Sequence, residues 1–328
     1  MKRMLVTGGA GFLGSSLCER LVHDGHRVVS LDDLSRGKEA NLAALDGHER
    51  FQSLVADACN PAAYERVEAT LGGVDVVFHL AAVNGTKWFH ERARHVIHVN
   101  VNATLAALEA AEGWGARFVL ASSPEAMGES SDWPLMDTHP SIFPPASSHQ
   151  RFAYGASKYL DELALHHAVS RGLDGRIVRP FNGYGARLIG ESDGQVVAML
   201  FKAVMDGRVM SVHGDGRQTR SFTAVDDLVD GFVRAGVQEV SVSTGEPLTG
   251  MAFNLTAPRE VSILDLATAI NEVVGSQAVD IVLGGGYPGD ASRRVGDITN
   301  AEEHLGWCPT TSLNEGLQSM WASLSGVP

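Results

Sequence analysis

Cysteine is scarce in this chain: Cys18, Cys59 and Cys308 are scattered through 328 residues, odd in number and without metal-ligand or redox spacing. They read as reduced thiols, not as a disulfide framework or a metal site. Positive charge is also in short supply. Twenty-six Lys and Arg stand against 39 Asp and Glu, for a net charge of −13 and a pI near 5.4. That balance disfavours a nucleic-acid partner, whose backbone is bound by clustered Lys and Arg. Long apolar runs are missing as well. No stretch approaches the roughly 20 continuous apolar residues that span a bilayer, so no membrane partner is expected. The N-terminal M-K-R-M-L-V-T-G-G has too few apolar residues before its glycines to act as a signal peptide, and the chain reads as cytoplasmic. The thirteen histidines form no ligand cluster: His95 and His98 meet on one helix face without acidic or thiol companions, and no metal is expected. Internal repeats and low-complexity tracts are absent too.

What the chain does have is a 44% hydrophobic, 20% charged composition, ordinary for a soluble globular protein. Its length suits one large domain or two intimately packed ones. After Arg3 the short apolar run M-L-V-T leads at once into G-G-A-G-F-L-G and then into an amphipathic helix from Ser15 to His23. Gly9, Gly11 and Gly14 satisfy G-x-G-x-x-G, while Gly8, Gly11 and Gly14 satisfy the related G-x-x-G-x-x-G. Such glycines permit a tight turn and let a pyrophosphate approach the backbone at the positive end of the helix. Ordinary turns match this pattern too, and the next strand is what gives it weight. R-V-V-S-L at 27–31 ends in Asp32 and Asp33. An acid at that strand end accepts hydrogen bonds from an adenosine ribose and repels a 2′-phosphate, which favours NAD over NADP, with Arg36 placed to offset part of the repulsion. The alternation continues through a strand at 51–55 followed by Asp57, a strand at 74–82, a long helix from Phe89 to Glu112, and a strand at 116–121. This pattern predicts an α/β fold with a doubly wound parallel sheet.

The stretch from Val119 carries the chemistry. V-L-A-S-S-P-E-A-M-G places Ser122, Ser123 and Glu125 at the carboxyl end of a sheet strand, where such folds bind ligands. Farther on, Y-G-A-S-K puts Tyr154 and Lys158 one turn apart on a helix face. A tyrosine with an ordinary pKa of about 10 works as a base near neutrality when a cation favours its phenolate, and Lys158 is that cation. Ser123 hydrogen-bonds the same substrate oxygen. Between these segments, 128–151 forms a Pro- and Ser-rich loop too long for a simple connection. Beyond Tyr154 the pattern gives a strand at 175–180, a helix over Val196–Met205, a short strand at 210–213, a helix from near Asp226, a strand at 251–255, and helices over Ser262–Val274, Thr299–Leu305 and Leu313–Leu324. The expected division is a dinucleotide-binding Rossmann domain, residues 1–180 and 218–248, with a smaller C-terminal α/β substrate lobe, 181–217 and 249–328.

The ordered motifs T-G-G-A-G-F-L-G, D-D-L-S-R-G, H-L-A-A, S-S-P-E-A-M-G, Y-G-A-S-K, R-P-F-N-G-Y-G, G-D-G-R-Q-T-R-S-F and V-D-D-L run nearly end to end. In them the chain resembles the extended short-chain dehydrogenase/reductase family, particularly its nucleotide-sugar epimerases, decarboxylases and dehydratases. The resemblance implies an NAD enzyme acting on a nucleotide-diphosphate sugar. Gly8, Gly11, Phe12, Leu13 and Gly14 would hold the pyrophosphate, Asp32 with Asp33 and Arg36 the adenosine ribose, and Asp57 and Ala58 the adenine. Leu80, Ala81, Ala82 and Asn100 would flank the cofactor, which Tyr154 and Lys158 also touch. Thr86, Asn182 and Arg220 would meet the nucleotide-sugar, and Arg294 its sugar or phosphate. The resemblance also implies a homodimer built from the helices 89–112 and 154–170, with Val96, Val99, Leu105 and Leu108 spaced to face a partner or the chain's own core. Three departures bear on the substrate. Pro124 stands where dehydratases carry an acid, beside Met127; Tyr287 to Asp290 reads Y-P-G-D where many epimerases have R-P-G-D; and N-G-T-K-W-F at 84–89 matches neither common pattern. The expected reaction is epimerisation through a transient 4-keto sugar with hydride return. Decarboxylation or dehydration using Glu125 is the alternative, and a noncatalytic NAD-binding sensor or scaffold is the reading from another class.

Overall fold

A computed structural model describes residues 1–326, apart from 131, 149, 189, 191–194 and 286–290. Strands β1 (Arg3–Thr7), β2 (Arg27–Asp32), β3 (Phe51–Val55), β4 (Val76–His79), β5 (Arg117–Ala121), β6 (Gly175–Pro180) and β7 (Ala252–Leu255) form one seven-stranded sheet in the order β7-β6-β5-β4-β1-β2-β3. Every neighbouring pair is parallel. The chain winds outward from β1 through β2 and β3, then crosses to β4 on the other side of β1. The crevice at the carboxyl ends of β1 and β4 is therefore the switch point at which doubly wound sheets bind ligands.

The two faces of the sheet follow from alternation along its strands. Met4 and Val6 turn to one side, where helices α1 (Phe12–His23) and, later, Val225–Val237 bury Leu17, Leu21, Leu228 and Phe232 against Phe78. Leu5 turns to the other, where α2 (Pro61–Leu71), α4 (Ala93–Trp114) and α5 (Ala153–Ser170) bury Val67, Ala107 and Leu165 against Phe118. Because both faces are covered, the central strands read as continuous apolar runs, as parallel sheets do. Helix starts are marked in the sequence. Asn60 accepts the N–H of Ala62 ahead of Pro61, and Ser312 and Glu315 form a reciprocal capping box; each such cap contributes about 1 kcal/mol.

The helix expected over 89–112 is broken at Arg92, whose backbone leaves the helical region (φ −136, ψ 34) and separates a short α3 (Thr86–Glu91) from α4. Downstream lie α6 (Val196–Met205), α7 (Val225–Val237), α8 (Ile263–Val274) and α9 (Leu313–Ser325). Helices α6, α8 and α9 bury Phe201, Leu266, Ile270 and Leu317 in the core of the smaller lobe.

Two segments change sides relative to the expected division. The run 252–255, assigned to the smaller lobe, is the edge strand β7 of the main sheet, hydrogen-bonded to β6 because Phe253 and Leu255 bury in the first core together with Trp307. Thr219–Ser221, assigned to the dinucleotide domain, instead pairs with Glu260–Ser262 and Arg293–Arg294 in a small three-stranded sheet. The described part of the 128–151 loop is tied down. Glu129 donates to the Ile142 carbonyl (2.7 Å), Leu135 to that of Val295 (2.9 Å), and Asp297 to that of Leu135 (2.8 Å), so the loop links the turn after β5 to the segment that carries Arg294.

Candidate active site

The site is a cleft of about 940 Å³ at the switch point. Its floor is the glycine turn between β1 and α1. A Cβ on Gly8, whose φ is +68, would lie 2.9 Å from the backbone of Leu80 and Ala81, and one on Gly14 would collide with the Gly8 carbonyl oxygen. The turn thus packs backbone on backbone and leaves the N-terminus of α1 open to the cleft through Gly11, Phe12 and Leu13. A pyrophosphate fits there by charge and by space. At the end of β2, Asp32 is buried and accepts the N–H groups of Ala10 (3.0 Å) and Leu34 (2.8 Å). Burial raises its pKa, with the two N–H groups opposing and Asp33 adding to the rise. Asp33, Arg36, Asp57, Ala58, Leu80, Ala81, Ala82 and Thr86 line the same cleft, and Asn182, Arg220 and Arg294 line it toward the smaller lobe.

Asn100, expected to flank the cofactor, lies against Val83, which lines the cleft. It is fully buried, takes the Val83 N–H on its carbonyl (2.7 Å), and donates to the Ser157 hydroxyl (3.0 Å). Both ends of its amide are engaged by protein partners, so it ties the segment after β4 to α5. The Y-P-G-D motif lies outside the described residues.

The reactive corner forms where the turn after β5 meets the start of α5. Ser123 accepts the Glu125 N–H (3.2 Å) and hydrogen-bonds the Tyr154 hydroxyl. The Tyr154 ring stacks on Phe89 of α3, with centroids 4.9 Å apart and planes 13° apart. Burial pushes the Tyr154 hydroxyl above its ordinary pKa, Ser123 opposes, and the negative charges of Glu125 and Asp161 add to the rise. Lys158 is buried one turn further on, with its Nζ 3.2 Å from Asp161 Oδ2. The cation expected to favour the Tyr154 phenolate is therefore already paired with a carboxylate.

Glu125 lies between two buried arginines, its Oε1 3.0 Å from Arg151 and 3.1 Å from Arg294. Burial would raise its pKa, but Arg294, Arg151 and, farther off, Arg220 outweigh that and hold it below the ordinary range. It is an ionised, engaged carboxylate. Behind it, Ser122 donates to Glu162 (2.5 Å), and Arg179 grips Glu162 with two hydrogen bonds of 2.8 and 2.7 Å. Among the described residues no group of three or more His, Cys, Asp or Glu is placed to hold a metal ion, and no helix is long and apolar enough to cross a membrane.

Arg151, Asp161 and Phe89 belong to the site although no sequence motif singles them out. A positional signal existed for the first two: Arg151 precedes Tyr154 by three residues, and Asp161 follows Lys158 by three on the same helix.

A parallel sheet with a glycine turn at its switch point, and Ser, Tyr and Lys gathered beside it, defines an enzyme of the short-chain dehydrogenase/reductase class. Comparison with known proteins gives the family: the NAD dependent epimerase/dehydratase family matches residues 4–255, and the chain belongs to it. The chain is 35% identical over 319 residues to UDP-glucuronic acid decarboxylase 1 of Arabidopsis thaliana, covering 97% of this chain and 68% of that one. It is equally 35% identical over 333 residues to UDP-glucose 4-epimerase of Mycolicibacterium smegmatis, covering 96% of each. The structure of UDP-glucuronic acid 4-epimerase from Bacillus cereus in complex with UDP-glucuronic acid and NAD superposes with a TM-score of 0.86 at 26% identity, covering 99% of this chain and 100% of that one.

Proposed function

We propose that this protein is a nucleotide-sugar epimerase acting through a transient 4-keto sugar. The observation that carries the reading is the corner where Ser123 meets Tyr154 next to Lys158 while the one nearby carboxylate of the turn, Glu125, is held by Arg151 and Arg294. Tyr154 takes the proton of the sugar C4 hydroxyl, Ser123 stabilises the developing alkoxide, and Lys158, one turn along the helix, contributes the part of its positive charge that Asp161 leaves unbalanced. NAD, when bound, accepts the C4 hydride and later returns it, so there is no net redox change. Returning the hydride to the opposite face of the ketone inverts C4 and requires no further acid or base. Glu125, ionised and bound to two guanidinium groups, is poorly placed to remove a C5 proton, and Pro124 supplies no acid for a departing hydroxyl; both weigh against dehydration. Arg220, Asn182 and Thr86 meet the diphosphate and sugar of the substrate. The residues that bind and react argue against a sensor or scaffold, which has no need of a base.

Decarboxylation is the second reading, favoured by one observation: Arg151 and Arg294 are buried residues that line the cleft at the reactive corner, cationic groups of the kind that attract a sugar carboxylate. A homodimer is also proposed. Val96 and Leu108 bury within the protomer, but Ile97 and Leu105 of α4 and Leu160 and Leu163 of α5 remain 42–49% exposed, an apolar stripe on the two helices that a second copy would cover.

A mass-spectrometric screen of nucleotide-sugars with purified enzyme in deuterated water tests the reaction. The expected product has unchanged mass, altered retention and no deuterium on carbon. Loss of carbon dioxide establishes decarboxylation, and deuterium at C5 overturns simple C4 epimerisation.

A further inference from the structure

We infer that Asp161 is a positioning residue that sets the working pH range of the Tyr154–Lys158 pair. The inference rests on the reading of Tyr154 as the base and adds a group that the reading does not use. Asp161 is 1% exposed and Lys158 equally so, and their charged atoms stand 3.2 Å apart, three residues along α5. Burial raises the Asp161 carboxyl above its ordinary pKa, while the Lys158 ammonium and a hydrogen bond from Thr104 oppose the rise; the ionised carboxylate cancels the positive charge that would otherwise act on the phenol one turn away.

The remaining charges around the pair are matched elsewhere. Glu125, from the turn after β5, is taken by Arg151 and Arg294. Glu162, next to Asp161 on α5, is taken by Arg179 of β6. His79 of β4 is fully buried between the hydroxyls of Thr7 (2.8 Å) and Thr104 (3.1 Å), and burial, with Lys158 nearby, pushes its pKa down to about 3, so it stays neutral. Arg220 acts on Glu125 from the smaller lobe. Asp161 is thus the charge set against Lys158, and removing it has two effects of the same sign. It deletes an anion near Tyr154 and leaves the ammonium of Lys158 uncancelled, and both favour the phenolate.

The test titrates Tyr154 directly, through the tyrosinate absorbance difference between each protein and the same protein carrying Tyr154→Phe, alongside the pH profile of turnover. Asp161→Asn is expected to move both midpoints down by about one pH unit, the size of one unit charge at partly screened range. Asp161→Ala, which leaves no buried amide to satisfy, is expected to give the same shift, and Asp161→Glu to restore the parent midpoint. Unmoved midpoints in both Asp161→Asn and Asp161→Ala, or an upward move in either, overturn the inference. If Tyr154→Phe keeps full turnover, the proposed reaction fails while the absorbance midpoint still reports on Asp161, so the two failures are separable.

Discussion

Replacing Glu125 with Gln probes the ion cluster and the reaction at once. The substitution keeps the shape and removes one negative charge from between two guanidinium groups, at 3.0 and 3.1 Å, whose side chains are only 6% and 5% exposed. Breaking a buried pair by deleting one partner costs about 3–5 kcal/mol because the surviving charge is left uncompensated. Glu125 itself is 16% exposed at the cleft wall, so some solvent relief is available and about 2–4 kcal/mol is expected here. Turnover should fall no more than about tenfold, since no proton passes through this carboxylate in C4 epimerisation. Urea denaturation gives the first quantity and product formation on the active nucleotide-sugar the second. Unchanged stability refutes the view that Glu125 compensates the arginines. A loss of turnover beyond about a thousandfold with stability intact refutes the view that it is a spectator in the chemistry, and makes it an acid–base group.

Two further outcomes follow from the structure. Burial raises the carboxyl of Asp137 to about 7 with Arg179 opposing. A native state that favours the protonated acid gains stability that is complete below the ordinary Asp range and is lost as pH rises through about 7. Asp137→Asn, which cannot ionise, should therefore show a Tm advantage over the parent that grows by several degrees between pH 5 and pH 8 in calorimetry. The apolar stripe predicts that the 34.9 kDa chain scatters light as a dimer at micromolar concentration and that the double change Leu105→Glu, Leu163→Glu gives the monomeric mass with turnover reduced; a monomeric parent rejects the interface.

Much of this site was legible in the sequence because it depends on local rules. The glycine turn announces itself through residues that no side chain can replace, the acid at the end of β2 follows by strand length, and Tyr154 and Lys158 meet by helical period. Helix α6 spans the residues its apolar run marks out, and Ser262, accepting the Asp265 N–H at 3.0 Å, starts α8. What was hidden depends on tertiary placement. A four-residue apolar run such as 252–255 carries no information about which sheet it joins, and only packing of Phe253 and Leu255 decides it. Arg151 and Arg294 are 143 residues apart in number and meet only through the loop pinned at Leu135. The partners of Asn100 were hidden as well, because a buried amide requires them and Val83 and Ser157, distant in sequence, supply them. Asp161 lay within a helical turn of Lys158, yet surface Lys–Asp pairs at that spacing are common, and its burial is what gives it meaning.

The central claim is that Tyr154 is the base of an NAD-dependent reaction at a sugar C4. Its most direct test is Tyr154→Phe, assayed for turnover and, by calorimetry, for NAD binding. The account predicts turnover reduced by about a hundredfold or more with NAD affinity changed by less than about tenfold, since the glycine turn and Asp32 are untouched. Turnover within tenfold of the parent, with NAD bound as before, contradicts it.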